Sequence, residues 1–159
     1  MKKTQKTKKT ESGRSMIEMV GVLAVMGLIT ATAFILISSA MNNQRMSRAN
    51  DDVSAIVSGV RTMYATSPDF SNLDVNALEL LGYSDVKSPY GGKYTLAKVT
   101  GFPDYISISF ATSKASICTA VLSGLSGIAG YTEKVDANKS RCDGEKLTVY
   151  FNKAGASAN

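Results

Sequence analysis

Residues Met16 to Met41 read MIEMVGVLAVMGLITATAFILISSAM, a run of 26 with a single charge, Glu18. As an α-helix this run is roughly 39 Å long, enough to cross a hydrocarbon core of about 30 Å with some tilt. A lone carboxylate in such a span is costly unless it is paired or put to use, which makes Glu18 the most informative residue in the chain. Three other readings of the run compete. A plain signal anchor would keep Glu18 close to hydrated headgroups. A removable secretory signal would be cut after Ala31-Thr32-Ala33, but the apolar run continues through Phe34-Ile35-Leu36-Ile37 and Glu18 interrupts its start. A buried core helix is disfavoured by the length and by the basic flank.

Working outward on the N-terminal side, Lys2, Lys3, Lys6, Lys8 and Lys9 stand against one acid, Glu11. The chain of 159 residues has a net charge of +5, and most of it lies in this leader. Removing those six residues leaves 13 basic and 12 acidic side chains, so the body is nearly neutral. A basic run before an apolar span holds an N-terminus in the cytoplasm. Nucleic-acid binding would need basic residues gathered on one folded face, and no such grouping is visible, so no nucleic-acid partner is expected.

On the C-terminal side the helix is expected to continue. After Asn42-Asn43-Gln44, apolar residues recur at Met46, Ala49, Val53, Ile56, Val57, Val60, Met63 and Tyr64, one stripe at helical period. No proline occurs before Pro68, so a helix from about Arg14 to Ala65 is allowed. The chain therefore reads as a leader (1–13), a long helix (14–65, with 16–41 as the membrane or assembly segment) and a head (66–159). About 90 residues remain for the head, a small core that often needs a staple.

Past Pro68 the pattern changes. Ser71 to Leu81 predicts a short helix ending at Gly82. Pro89-Tyr90-Gly91-Gly92 reads as a turn into a strand over Lys93 to Val99. Asp104 to Ala111 alternates, with Ile106, Ile108 and Phe110 on one face, and predicts a half-buried strand. Ile117 to Leu125 suits a helix carrying Cys118, and Lys146 to Asn152 a last strand. A long helix plus a small antiparallel sheet is an α+β plan.

The two cysteines are Cys118 and Cys142. An even count in an exported domain favours a disulfide, and two cysteines allow one intrachain pairing; two unrelated buried thiols are the alternative. Closing that loop is worth roughly 3 kcal/mol in the chain-entropy account. Without histidine there is no Ser-His-Asp or Cys-His arrangement and no histidine metal site. No phosphate-binding loop or dinucleotide fingerprint appears, and Gly124, Gly127 and Gly130 read as a small-residue helix face or loop. Asp136, Asp143 and Glu145 lack the spacing of a calcium loop and read as solvated surface. No catalytic residue, no cofactor and no metal site is expected.

Gly13-Arg14-Ser15-Met16-Ile17-Glu18 followed by an apolar helix resembles the N-terminus of type IV pilins and their relatives. The resemblance is closest over residues 9 to 41, extends along the helix to Ala65, and is architectural beyond. It implies a leader cut after Gly13 by a membrane-embedded prepilin peptidase, leaving Arg14 as the new, N-methylated terminus and Glu18 as the fifth mature residue. Glu18 would then pair with the N-terminal amine of a neighbouring subunit during assembly. Two departures stand out. Family pilins mostly begin with Phe, Met, Leu or Val where this chain has Arg14, and many carry a proline where it has Ile35. Gly27 matches a glycine near which the family helix loosens, although Gly21 and Gly27 equally suit close helix packing. The Gly-Gly turn before the sheet and the late cysteine pair look like the type IVb subgroup. Cys118–Cys142 would there bound a variable, outward-facing loop.

The resemblance thus implies a non-enzymatic filament subunit, a helical homo-oligomer. It would be held in inner-membrane lipid with its N-terminus cytoplasmic, then passed by the inner-membrane assembly machinery to a surface pilus. A pseudopilin of a type II secretion system and an uncleaved single-pass periplasmic binding protein are the alternatives.

Overall fold

The computed structural model describes residues 12–74 and 76–155, without the side chains of residues 12–15. The leader before residue 12, and the Arg14 side chain at the expected cut, therefore lie outside the described residues. The first element, α1, runs Ser12–Met63 as 52 residues of unbroken helix. The chain divides into two compact units, the second being Asn43–Asn159, and α1 contributes to both.

In the second unit α1 buries Ala49, Val53, Ile56, Val57 and Val60, the stripe expected from their spacing. The helix ends in a tightened turn, with Tyr64 N–H donating to Val60 O and Ala65 N–H to Thr62 O, just ahead of Pro68. The following loop is pinned to that end. The Tyr64 hydroxyl accepts from Asp74 N–H at 2.8 Å and reaches Asn72 O at 3.2 Å, while Phe70 is buried edge-on to the Tyr64 ring.

The helix expected over 71–81 is shorter than its pattern suggested: α2 spans only Ala77–Leu80. Asp69 and Asp74 side chains accept backbone N–H groups two residues on, at Ser71 and Asn76, and so draw that stretch into turns. The stop at Gly82 is where it was expected. Gly82 has φ +78°, with Gly82 N–H donating to Glu79 O and Tyr83 N–H to Leu78 O, the paired bonds of a Schellman cap.

Strands β1 (Thr95–Val99), β2 (Phe102–Ala111) and, at the end of the chain, β7 (Lys146–Asn152) form consecutive antiparallel neighbours. The first begins two residues later than expected, because Lys93 makes only an isolated bridge with Lys87. The second begins two residues earlier, and a register shift at Lys98/Val99 accommodates Pro103, which has no N–H to give a ladder. Between β2 and β7 lie α3 (Ala115–Leu125), β3 (Tyr131–Thr132), the β4–β5 hairpin (Lys134–Val135 with Asn138–Lys139) and β6 (Arg141–Asp143). The free edge of β7 is shared: β3 pairs near its C-terminal end, β6 near its N-terminal end.

The inner sheet face carries Ile106, Ile108 and Phe110 from β2, and Leu147, Val149 and Phe151 from β7, all buried. These close one core with the α1 stripe and with Cys118, Val121 and Leu125, three, four and seven residues apart along α3. The architecture is α+β, a long N-terminal helix packed on a small antiparallel sheet, as the sequence pattern anticipated.

Candidate functional site

Two places hold the residues singled out above. The first is residues 16–42 of α1, where every side chain is exposed. Its mean hydropathy reaches 2.5, and by length and composition it is able to cross a membrane. Ile17, Leu23 and Ile29 are 77%, 63% and 61% exposed and, at six-residue spacing, stand about a third of a turn from one another around the axis, so the whole cylinder is apolar. Each square ångström of apolar surface left in water costs about 25 cal/mol, so this surface needs a cover. Two hydroxyls within it spend their protons on the helix's own backbone: Thr30 donates to Met26 O at 2.8 Å and Thr32 to Ile29 O at 2.9 Å. Glu18 differs. It heads a face continued by Gly21, Val22, Val25, Met26 and Ile29. Its carboxylate makes no hydrogen bond or ion pair among the described residues. Once the surrounding surface is covered, that carboxylate needs a cation or a set of donors from elsewhere.

The second place is the loop bounded by Cys118 and Cys142, which are joined in a disulfide of 2.02 Å with Cα atoms 5.9 Å apart. Cys118 sits fully buried on α3 and Cys142 half-buried on β6, so the bond ties α3 to the β7 edge of the sheet. Inside the loop, Ser140 ties together β3, β7 and the bend at Glu133. Its N–H donates to Glu133 O at 2.8 Å, its hydroxyl donates to Thr132 O at 2.7 Å, and the same hydroxyl accepts from Tyr150 N–H at 3.0 Å. The β4–β5 hairpin projects from this anchor with Asp136, Ala137, Asn138 and Lys139 exposed. Asp136 is at the hairpin tip, while Asp143 and Glu145 flank the Gly144 turn; they do not assemble into a three-residue acidic group among the described residues.

Three partnerships in the second unit escaped sequence reasoning. Arg61, in the last turn of α1, donates from Nη2 to Asn152 O at 2.5 Å and Ala129 O at 2.9 Å, and from Nε to Asn152 O at 3.2 Å. Gly130, at φ +77°, lets the backbone pass close under that guanidinium, where a side chain would collide with it. Burial lowers the Arg61 pKa, but a guanidinium remains charged. Asp52 accepts from the Tyr94 hydroxyl at 2.9 Å across the helix–sheet junction. Burial, then that hydrogen bond, holds the Tyr94 pKa far above its ordinary value. The Ser140 node is the third. A charge bordering an apolar stripe, as Arg61 borders Val57 and Val60, was the one available signal.

Comparison with protein-family models and with curated proteins gives no match to this chain. What fold and site together define is an α+β head, closed by a disulfide, joined to an apolar helical segment long enough to span a membrane.

Proposed function

We propose that this chain is a type IV pilin precursor: a non-enzymatic subunit, cut after Gly13, held in the inner membrane through residues 16–41, and then polymerised through the same helix into a surface filament. The observation that carries the reading is the exposed apolar cylinder with one carboxylate that has no partner among the described residues. Such a surface suits two successive covers, lipid before assembly and the helices of other copies after it. Glu18 suits the second. Arg14 would bear the new terminal ammonium after cutting, and Glu18 of one copy then meets that cation of the next, which fixes the register between copies. The pilin-like head, with its disulfide, supports the same reading. The partners would be further copies of the chain, the prepilin peptidase and the inner-membrane assembly machinery.

Intact mass and N-terminal sequencing of the membrane and filament fractions test this. A chain beginning at Arg14, with or without a methyl group, is the expected result. A start at Met1 would mean an uncleaved anchor, and a start at Phe34 a secreted protein. Replacing Glu18 by alanine is expected to abolish sheared surface filaments while leaving the unfolding of the head unchanged. Normal filament yield from Glu18→Ala would remove the carboxylate from assembly.

A further inference from the structure

Asn138-Lys139-Ser140 is an Asn-x-Ser acceptor sequence for N-glycosylation, with a residue other than proline between. Its setting gives that short pattern a context. Asn138 is exposed, on a two-residue strand of a hairpin whose register is only Lys134 with Lys139 and Val135 with Asn138. Asp136, at φ +52°, turns the hairpin and places an exposed acidic residue two positions ahead of the acceptor. A cationic groove would have there a second handle besides the hydroxyl two residues after the asparagine. A glycan on Asn138 would extend into solvent from the disulfide-bounded loop without displacing any core residue.

We infer that Asn138 is a glycan acceptor, modified by a membrane oligosaccharyltransferase as the head emerges from the membrane. The inference rests on export of the head, which is part of the function proposed above, and not on filament formation. The donor is a lipid-diphosphate-linked oligosaccharide. The Asn138 amide nitrogen forms a bond to the anomeric carbon of the first sugar, the bond from that carbon to the phosphate oxygen breaks, and the lipid diphosphate leaves. The amide gives up one proton to a base of the enzyme, and nothing is oxidised or reduced.

The fold also sets the order of events. In the folded head the Ser140 hydroxyl is engaged in both directions, donating to Thr132 O and accepting from Tyr150 N–H. Only 7% of Ser140 is exposed. A transferase that must read this hydroxyl finds it free only before β3, β6 and β7 come together. Cys142 lies two residues further on, and its disulfide locks β6 in place. Transfer therefore precedes closure of the disulfide, and the two compete for the nascent loop.

The test is intact-mass and peptide-mass measurement of the full chain isolated from its own cells, with the N-terminus and the redox state of the cysteines read on the same sample. The expected result is one glycan increment on the peptide containing Asn138, lost in Asn138→Gln and increased in occupancy when Cys118 is replaced by serine. Asn138→Gln alters only an exposed side chain, so its folding is secure, whereas Ser140→Ala would also disturb the strand anchor. A chain that is oxidised and cut at Arg14 but has the bare polypeptide mass at Asn138 overturns the glycan inference alone. A chain starting at Met1 with free thiols and no glycan overturns export as well. A glycan that persists in Asn138→Gln places the modification elsewhere and overturns the assignment.

Discussion

The two halves of α1 are one helix by hydrogen bonding and two different objects by surface. Over residues 16–42 every side chain is exposed and the lone carboxylate, Glu18, has no partner among the described residues. Over residues 43–63 Ala49, Val53, Ile56, Val57 and Val60 form one buried stripe, with Met63 at its far end 38% exposed, and Asp52 and Arg61 both find partners elsewhere in the same chain. Helix formation is thus indifferent to which solvent a segment expects; the distribution of side chains around the axis carries that information. The second half is solved within the monomer. The first half is written for something outside it.

The sharpest way to break this contrast is the same truncation in both halves. Ile56→Ala removes a fully buried side chain from the core and should cost the head about 3 kcal/mol, with a cavity left behind. Ile35→Ala removes a side chain that is 71% exposed and should leave head stability within about 0.5 kcal/mol. Denaturant unfolding of the full chain in detergent micelles, followed by tyrosine fluorescence, measures both. Equal losses would mean that the first half is not a surface awaiting a cover.

Next in size is Arg61, the charge that the folded half settles internally. Arg61→Ala leaves the carbonyls of Asn152 and Ala129 without their charged donor and should cost about 2 kcal/mol in the same unfolding experiment. Arg61→Lys should recover only part of this, because an ammonium cannot span two carbonyls as a planar guanidinium does. Full rescue by lysine would show that charge near the helix C-terminus, rather than the fork, is what matters. The comparison with Glu18 is direct: removing Arg61 is costly to the monomer, whereas removing Glu18 would be costly only to the filament proposed above.

Much of this was legible because it is periodic. The α1 stripe, the alternation of β2, the apolar run of β7 and the Gly82 stop each declare themselves within a few neighbouring residues. The missed strands β3, β4, β5 and β6 are two or three residues long and exist because β7, later in the chain, or a hairpin partner offers them an edge. The overextended helix before Ala77 failed for a local reason, two aspartates competing for backbone N–H groups. At the candidate site, Glu18 stands out in any reading because a charge interrupts an apolar run, and two cysteines have one intrachain pairing. Arg61 and Asp52 do not stand out, since their partners lie 91 and 42 residues away and, for Arg61, are main-chain carbonyls that no side-chain pattern marks.

The smallest effect expected is the pH dependence of the Asp52–Tyr94 pair, and it sharpens the idea that the folded half settles its own charges. Tyr94 is buried and donates to Asp52, so its folded-state pKa lies far above the ordinary phenol value of 10.0. Tyr83, Tyr90 and Tyr131 are raised as well, each mainly by burial. A raised pKa means that the stabilisation is fully present below the unfolded value and is lost as pH climbs above it. Above pH 10 the unfolded chain releases phenol protons that the folded head retains, so stability falls, by at most about 1.4 kcal/mol per pH unit for Tyr94 and by less for the more exposed tyrosines, where solvent screens the effect. Tyr94→Phe removes one titrating group and should flatten that alkaline slope while costing about 1 kcal/mol at neutral pH through the lost hydrogen bond. Unfolding midpoints between pH 8 and pH 11 would read the change. If the slopes of the two proteins coincide, Tyr94 ionises as an ordinary phenol and the link between α1 and the sheet is looser than its 2.9 Å hydrogen bond implies.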